Sequence, residues 1–134
     1  MDNERYLDDT KRVLEKKGYI VDKLGSAEAT INKSIVFIRP GSQKSKGWQV
    51  TFRGEKSDSS KSCLAVGHGF LLMPRGPIML IPLREVKMLV ESVDSNAFQR
   101  DTVDIFVRFE EQKITLVYKT KEIDITKHAV ENYP

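Results

Sequence analysis

The chain has 134 residues, 40% of them hydrophobic and 31% charged, which is typical of one globular domain with its own core. Its single cysteine excludes an internal disulfide, and no cysteine or histidine cluster has the spacing of a zinc site, so we expect neither metal nor cofactor. The net charge is only +3, the N-terminus is too charged for a signal peptide, and no apolar run is long enough to cross a membrane. We therefore expect a cytoplasmic protein.

The N-terminal part of the chain predicts one helix and two strands. Residues typical of a helix face recur there at three- and four-residue spacing: Tyr6, Leu7, Thr10, Val13 and Leu14. Gly18 follows them and would end the helix. Two short strands are expected at 19–24 and 34–38, and the second is a run of β-branched and aromatic residues.

The middle of the chain predicts a loop, three strands and a second helix. Residues 41–47 are typical of an exposed loop, after which Trp48, Val50 and Phe52 alternate with polar residues as in a half-buried strand. The apolar runs at 70–73 and 78–81 flank a Pro-Arg-Gly-Pro turn and predict a buried hairpin. Pro82 suits a helix start, and a helical stripe follows it: Leu83, Val86, Leu89 and Val90.

The C-terminal part predicts a hairpin of strands 102–109 and 113–118, followed by a short helix capped by Asp124 or Thr126. The whole order of elements indicates one α/β (α+β) domain over residues 1–134, with a mixed central sheet flanked by helices.

One helix, three strands and a later helix resemble the core of the PD-(D/E)XK nuclease superfamily. The stretch SIVFIRPGSQKSKGWQVTFRG is similar to the two adjacent strands that carry the catalytic motif there, and LLMPRGPIMLIPLREVKMLV is similar to a strand pair that runs into the next core helix. The resemblance covers roughly residues 3–92 and implies a restriction-endonuclease-like scaffold, of a kind carried by phages and mobile elements.

The catalytic residues of such enzymes are missing from the matching positions. Carboxylates must hold a divalent metal and a lysine must position the attacking water, but the expected triplet is Gln49-Val50-Thr51, and residues 30–40 contain no acid. Asp22 or Glu28 could supply a relocated carboxylate, which leaves an active metal nuclease as a third hypothesis.

Two further motifs do not predict catalysis. Cys63 and His68 would fall on opposite faces of a strand-like run, and the Gly67-x-Gly69 spacing is too short for a phosphate loop. We therefore assign no catalytic residue.

A basic central segment predicts binding to nucleic acid. Residues 32–88 contain ten basic and three acidic residues, a net charge of +7, while both flanking segments are net acidic. The candidate contacts are Lys44, Lys46, Trp48, Arg53, Lys56, Lys61 and Arg75. Solvated loop lysines without a partner are the alternative for the cations. The alternation around Trp48 favours a core position, whereas an exposed tryptophan would stack on a base.

The leading hypothesis is thus a non-catalytic nucleic-acid-associated domain of nuclease-like fold that contacts phosphates through its basic loops. The alternative is a protein-interaction or dimerisation module. It would use the acidic C-terminal hairpin, through an exposed edge strand, to bind a basic partner or a second copy: Asp101, Asp104, Glu110 and Glu111.

Overall fold

The computed structural model describes residues 3–24, 28–39, 42–44, 47–53, 69–73, 78–99 and 102–130. In these ranges the chain forms two α-helices, ten strands and two short 3₁₀ helices: α1 (Asn3–Lys16), β1 (Val21–Leu24), β2 (Glu28–Ile31), β3 (Ser34–Ile38), β4 (Ser42–Lys44), β5 (Gly47–Arg53), β6 (Phe70–Met73), β7 (Met79–Pro82), α2 (Leu83–Val93), η1 (Ala97–Gln99), β8 (Thr102–Glu110), β9 (Lys113–Tyr118), β10 (Lys121–Asp124) and η2 (Thr126–His128). The predicted mixed α+β class is confirmed.

The strands form two five-stranded sheets, where the sequence predicted one central sheet. The first sheet has the order β1-β2-β3-β6-β7 and is mixed, because β3 and β6 run parallel while the other neighbours are antiparallel. The second sheet has the order β10-β9-β8-β5-β4 and is antiparallel throughout. The chain leaves the first sheet after β3, builds β4 and β5 in the second, and then returns to the first.

Within the first sheet, β6 and β7 are buried on both faces, which explains their continuous apolar runs. One face packs under α1 in the helix-1 core, made of Leu14, Val21, Ala29, Ile31, Val36, Ile38, Leu72, Ile78 and Leu80. The other face meets the second sheet and α2 in the inter-sheet core, made of Val50, Phe52, Leu71, Met73, Met79, Ile81, Leu83, Val86, Leu89, Val90, Ala97, Phe98, Val103, Ile105, Val107, Ile114, Leu116, Tyr118 and Ile125.

Both predicted helices are confirmed. In α1, Thr10 and Leu14 are buried and Val13 packs against the helix-1 core, while the side chains of Tyr6 and Leu7 lie outside the described part. Gly18 follows with a φ of +95°, a left-handed conformation that suits glycine and ends the helix. In α2 the predicted stripe is the buried one, and Pro82 is the N-cap residue.

The predicted hairpins at 70–81 and 102–118 are also confirmed, as β6–β7 and β8–β9. The structure describes the turn of the β8–β9 hairpin, whereas the turn of the β6–β7 hairpin, residues 74–77, lies outside the described residues. Three short strands were not predicted: β2, β4 and β10. The exposed loop predicted at 41–47 is wrong for residues 42–44, which pair with β5.

Candidate functional site

The β4–β5 hairpin forms one outer edge of the second sheet, and it is the most basic strand pair in the described structure. Residues 42–53 include three cations and no carboxylate. Ser42 pairs with Gln49 and Lys44 pairs with Gly47, so the hairpin holds Lys44 on the outermost strand, where its side chain is exposed. A cation exposed on an edge strand can meet a polyanion.

Gly47 anchors this hairpin to the sheet. Its φ of +129° suits glycine, and a Cβ atom there would lie 2.8 Å from the backbone oxygen of Val107 on β8. Only a residue without a side chain lets β5 approach β8 so closely. The glycine therefore sets the point at which the basic edge joins the sheet.

The structure separates the candidate contact residues that it describes. Lys44 lies beside the first residue of β5 and Arg53 is the last residue of that strand, so about 20 Å of strand separates them. The side chain of Arg53 lies outside the described part, as do the whole residues Lys46, Lys56, Lys61 and Arg75. These two residues are therefore spread along the strand and do not gather in one place.

Trp48 faces the protein interior. It is partly buried and packs against the inter-sheet core, next to the buried Val50 and Phe52, while Thr51 on the other face is exposed. The predicted alternation is confirmed. An indole held in this way is not presented for stacking on a base, so the hairpin offers charge without an aromatic platform.

The two strands expected to carry the nuclease-like motif are not neighbours. Strand β3 pairs with β2 and β6 in the first sheet, whereas β5 pairs with β4 and β8 in the second. The predicted adjacency is wrong because the chain changes sheet between the two strands. Thr51 is occupied on its own sheet, where its hydroxyl lies 2.5 Å from the Asp104 carboxylate and donates to it.

The carboxylates offered as relocated metal ligands lie on the first two strands of the first sheet. Asp22 is on β1 and Glu28 is on β2, and both are exposed. Glu28 lies one position beyond the Leu24–Ala29 pair, so about 7–10 Å of strand separates the two acids. Within the ranges that the structure describes, no three histidine, cysteine or acidic side chains gather into a possible metal site. Cys63 and His68 lie outside those ranges.

The acidic hairpin β8–β9 does not provide an edge strand, which corrects the prediction for it. β8 and β9 are inner strands, and β10 occupies the edge. Glu110 contacts Arg108 at 3.0 Å and Lys113 at 3.8 Å, and Glu111 is exposed in the turn. Asp101 lies outside the described residues. The edge strand next to this hairpin is therefore β10, which the sequence did not predict.

A cavity of about 320 Å³ lies where η2 approaches the first sheet. Tyr19, Asn32 and Ser34 line one side, and Lys127 and His128 line another. The Nε2 atom of His128 is 2.9 Å from a carboxylate oxygen of Glu85, and both side chains are largely buried. This contact ties η2 to α2.

Comparisons with known proteins give no relative. No protein-family model, curated protein or solved structure matches the chain. Among the described helices, neither is long and apolar enough to cross a membrane.

Proposed function

We propose that this protein is a non-catalytic nucleic-acid-associated domain of nuclease-like fold whose basic β4–β5 edge contacts phosphates. The observation that carries the proposal is the exposed Lys44 on an outermost strand, within a hairpin that contains three cations and no carboxylate. This hairpin contributes three of the ten cations of residues 32–88, a segment with a net charge of +7.

Phosphate contact without base recognition is the form of binding that this edge favours. Lysine is a point charge that neutralises phosphate and releases condensed counterions, whereas base recognition needs side chains aimed into a groove or an exposed stacking ring. Trp48 packs inward, so the described hairpin lacks the ring. Binding should therefore depend strongly on salt and weakly on sequence.

The nuclease-like part of the proposal is supported by the start of the first sheet. There α1 is followed by three antiparallel strands, β1, β2 and β3, and a later strand joins in parallel. Of the elements on which the resemblance was based, α1, β1, β3 and the β6–β7 pair followed by α2 occur in that order, whereas the third predicted strand, β5, lies in the second sheet. We propose a binding scaffold without cleavage activity, because β3 carries no acid and the expected lysine position holds Thr51.

The experiment is a salt titration of duplex DNA and RNA affinity for the Lys44→Ala/Lys46→Ala variant. On duplex DNA each neutralised phosphate contributes about 0.9 to the slope of log affinity against log salt, so the variant should bind more weakly and flatten the slope by up to about two units. Exposed lysines contribute little to folding, so its melting temperature should stay nearly unchanged.

The matched control is Lys119→Ala/Lys121→Ala. It removes the same charge from two lysines with the same spacing, located at the opposite edge of the second sheet. The control should retain the parent slope. If both double variants lose affinity equally, binding reflects net charge alone and the β4–β5 edge is not the contact surface. Absence of binding at low salt would contradict the proposal entirely.

A further inference from the structure

The cavity beside η2 lies at one end of the first sheet, where β3 and β6 begin and where β2 and β7 end. Its floor is apolar and consists of Ile31, Phe70, Leu80 and Pro82. The first three of these residues belong to the helix-1 core or pack against it, and Pro82 pairs with Phe70 across the strands. A cavity of about 320 Å³ is much larger than one water molecule and accepts a small organic molecule.

One wall of the cavity is held in place by a pair of hydrogen bonds. The Ile20 N–H donates to the Oδ1 atom of Asn32, and the Asn32 N–H donates to the Ile20 oxygen, each at 2.8 Å. The side-chain oxygen of Asn32 is therefore occupied, and the amide NH₂ group is the part of this side chain left to bind a ligand. Tyr19 and Ser34 add two hydroxyl groups to the same wall. This wall can therefore donate several hydrogen bonds.

The opposite wall is the C-terminal strap, which we define as residues 125–130. Its last residue is tied to the first sheet, because the Val130 N–H donates to the Ile78 oxygen at 2.8 Å. The Nε2 atom of His128 lies 2.9 Å from the Glu85 carboxylate, so this histidine already has a charged partner and serves as part of the wall. Both walls are fixed in the absence of a ligand, which lowers the entropic cost of binding.

Lys127 supplies the positive charge at this cavity. Its side chain is exposed, and no carboxylate oxygen among the described residues lies within 4 Å of its ammonium group. The Thr126 hydrogen bonds are the main cause of the lowered pKa of Asp124, and the charge of Lys127 makes the smallest contribution. None of the described residues that line the cavity is acidic. The cavity therefore combines one available positive charge with an apolar floor.

We infer that this cavity binds a small organic anion with an apolar body, of the class of aromatic or branched carboxylic acids. The apolar body lies on the floor against Phe70 and Leu80, and the carboxylate faces Lys127. One available cation matches one negative charge, and the apolar floor disfavours a hydrated inorganic ion. The site belongs to the first sheet and the β4–β5 edge to the second, so this binding is independent of nucleic acid.

The test is an NMR titration of the ¹⁵N-labelled full chain with phenylacetate. Amides of residues 31–34 and 127–129 should shift in a saturable manner, together with those of Phe70 and Leu80. Phenylacetamide has nearly the same shape without the charge, so it should bind up to about fivefold more weakly, which is the range of one exposed ion pair. Phenethylamine carries the opposite charge and should bind more weakly still. Acetate has no apolar body and should not bind.

Two protein variants and one control separate the charge from the cavity. Lys127→Gln should lower phenylacetate affinity to that of phenylacetamide and leave phenylacetamide affinity unchanged. Ser34→Leu fills the cavity from β3 and should abolish binding of both, with its melting temperature as the check that the chain is folded. The control Lys119→Gln removes the same charge from the β9–β10 turn and should keep the parent preference for the carboxylate.

Several results would overturn the inference. Absence of saturable shifts with phenylacetate would leave the cavity to water. Equal affinity for phenylacetate and phenylacetamide, a preference for the carboxylate that persists in Lys127→Gln, or its equal loss in Lys119→Gln would remove Lys127 as the anion partner. Tighter binding of phenethylamine would reverse the charge of the ligand. The salt titration of nucleic-acid affinity is unaffected by any of these results.

Discussion

Replacement of Gly69 by alanine tests how tightly the two halves of the first sheet are joined. Gly69 precedes β6 with a φ of +84°, and a Cβ atom there would lie 2.3 Å from the backbone oxygen of Ile35 on β3. Its own oxygen accepts the N–H of Leu83 at the start of α2, at 3.0 Å. A side chain at position 69 would therefore force β3 and β6, the parallel strand pair of this sheet, apart.

The magnitude follows from two separate costs. A left-handed conformation costs a residue with a Cβ atom about 1–2 kcal/mol, and forced overlap in a packed region costs roughly 1–3 kcal/mol more. Gly69→Ala should thus lower the free energy of unfolding by about 2–5 kcal/mol. Gly18→Ala is the matched control, because Gly18 has a φ of +95° but no atom within 4 Å of its added Cβ. It should show the conformational cost alone.

Urea denaturation followed by the fluorescence of the single tryptophan, Trp48, measures both variants. The expected difference between them is about 1–3 kcal/mol, with Gly69→Ala the less stable. Equal destabilisation of the two variants would refute the close approach of β3 and β6.

Three further predictions concern α1, β10 and cleavage. Leu14→Ala should lower the free energy of unfolding by about 2–5 kcal/mol, because Leu14 is fully buried. Ile35→Ala should lower it by well under half of that, because the Ile35 side chain is 59% exposed. Equal melting temperatures of the two variants would show that α1 does not pack on the sheet. The Thr126 hydroxyl and backbone N–H donate hydrogen bonds to the Asp124 carboxylate and lower its pKa in the folded protein. The stability that these hydrogen bonds give the folded state is present above the ordinary pKa of an aspartate, and it is lost as the pH falls through the lower pKa of the folded protein. Asp124→Asn should therefore reduce the acid sensitivity of the urea midpoint, and an unchanged pH profile would contradict this role. With magnesium or manganese the protein should not cleave duplex, single-stranded or branched DNA, and chelator-sensitive cleavage that disappears in Asp22→Asn or Glu28→Gln would revive the metal nuclease.

The elements predicted correctly are those whose own sequence carries a strong period. The stripes of α1 and α2 and the alternation of β5 and β8 each bury one side of the element, so the pattern alone indicates the structure. The buried pair β6–β7 has an apolar run on each side of a proline and glycine turn, which is an equally local signal.

The strands that were missed depend on their neighbours. β4 and β10 are short, polar edge strands, and the sequences SQK and KEID have no apolar alternation to mark them. β2 ends in a two-residue turn at Asn32 and Lys33, both with positive φ, but the turn contains no glycine that would indicate a hairpin from the sequence. Such strands form because an adjacent strand offers hydrogen bonds, which a local pattern does not record.

The sequence predicted one of the two surfaces only in part, because charge is visible in a local pattern and edge strands are not. The charge of the central segment indicated a basic surface, and the structure gives Lys44 an exposed position on an edge. The acidic partner surface was placed on β8–β9, but the free edge belongs to β10, and a groove beside it is formed by a helix some 30 residues earlier in the chain. The change of sheet after β3 separates β3 from β5, and the pairing of β10 with β9 makes β10 the edge strand.

Backbone amide shifts during titration with a short DNA duplex test the central claim most directly. If the β4–β5 edge is the phosphate-binding surface, amides of residues 42–44 and 47–53 should shift in a saturable, salt-sensitive manner, while those of residues 121–124 stay in place. Shifts centred on β10, or shifts spread evenly over all exposed lysines, would contradict it.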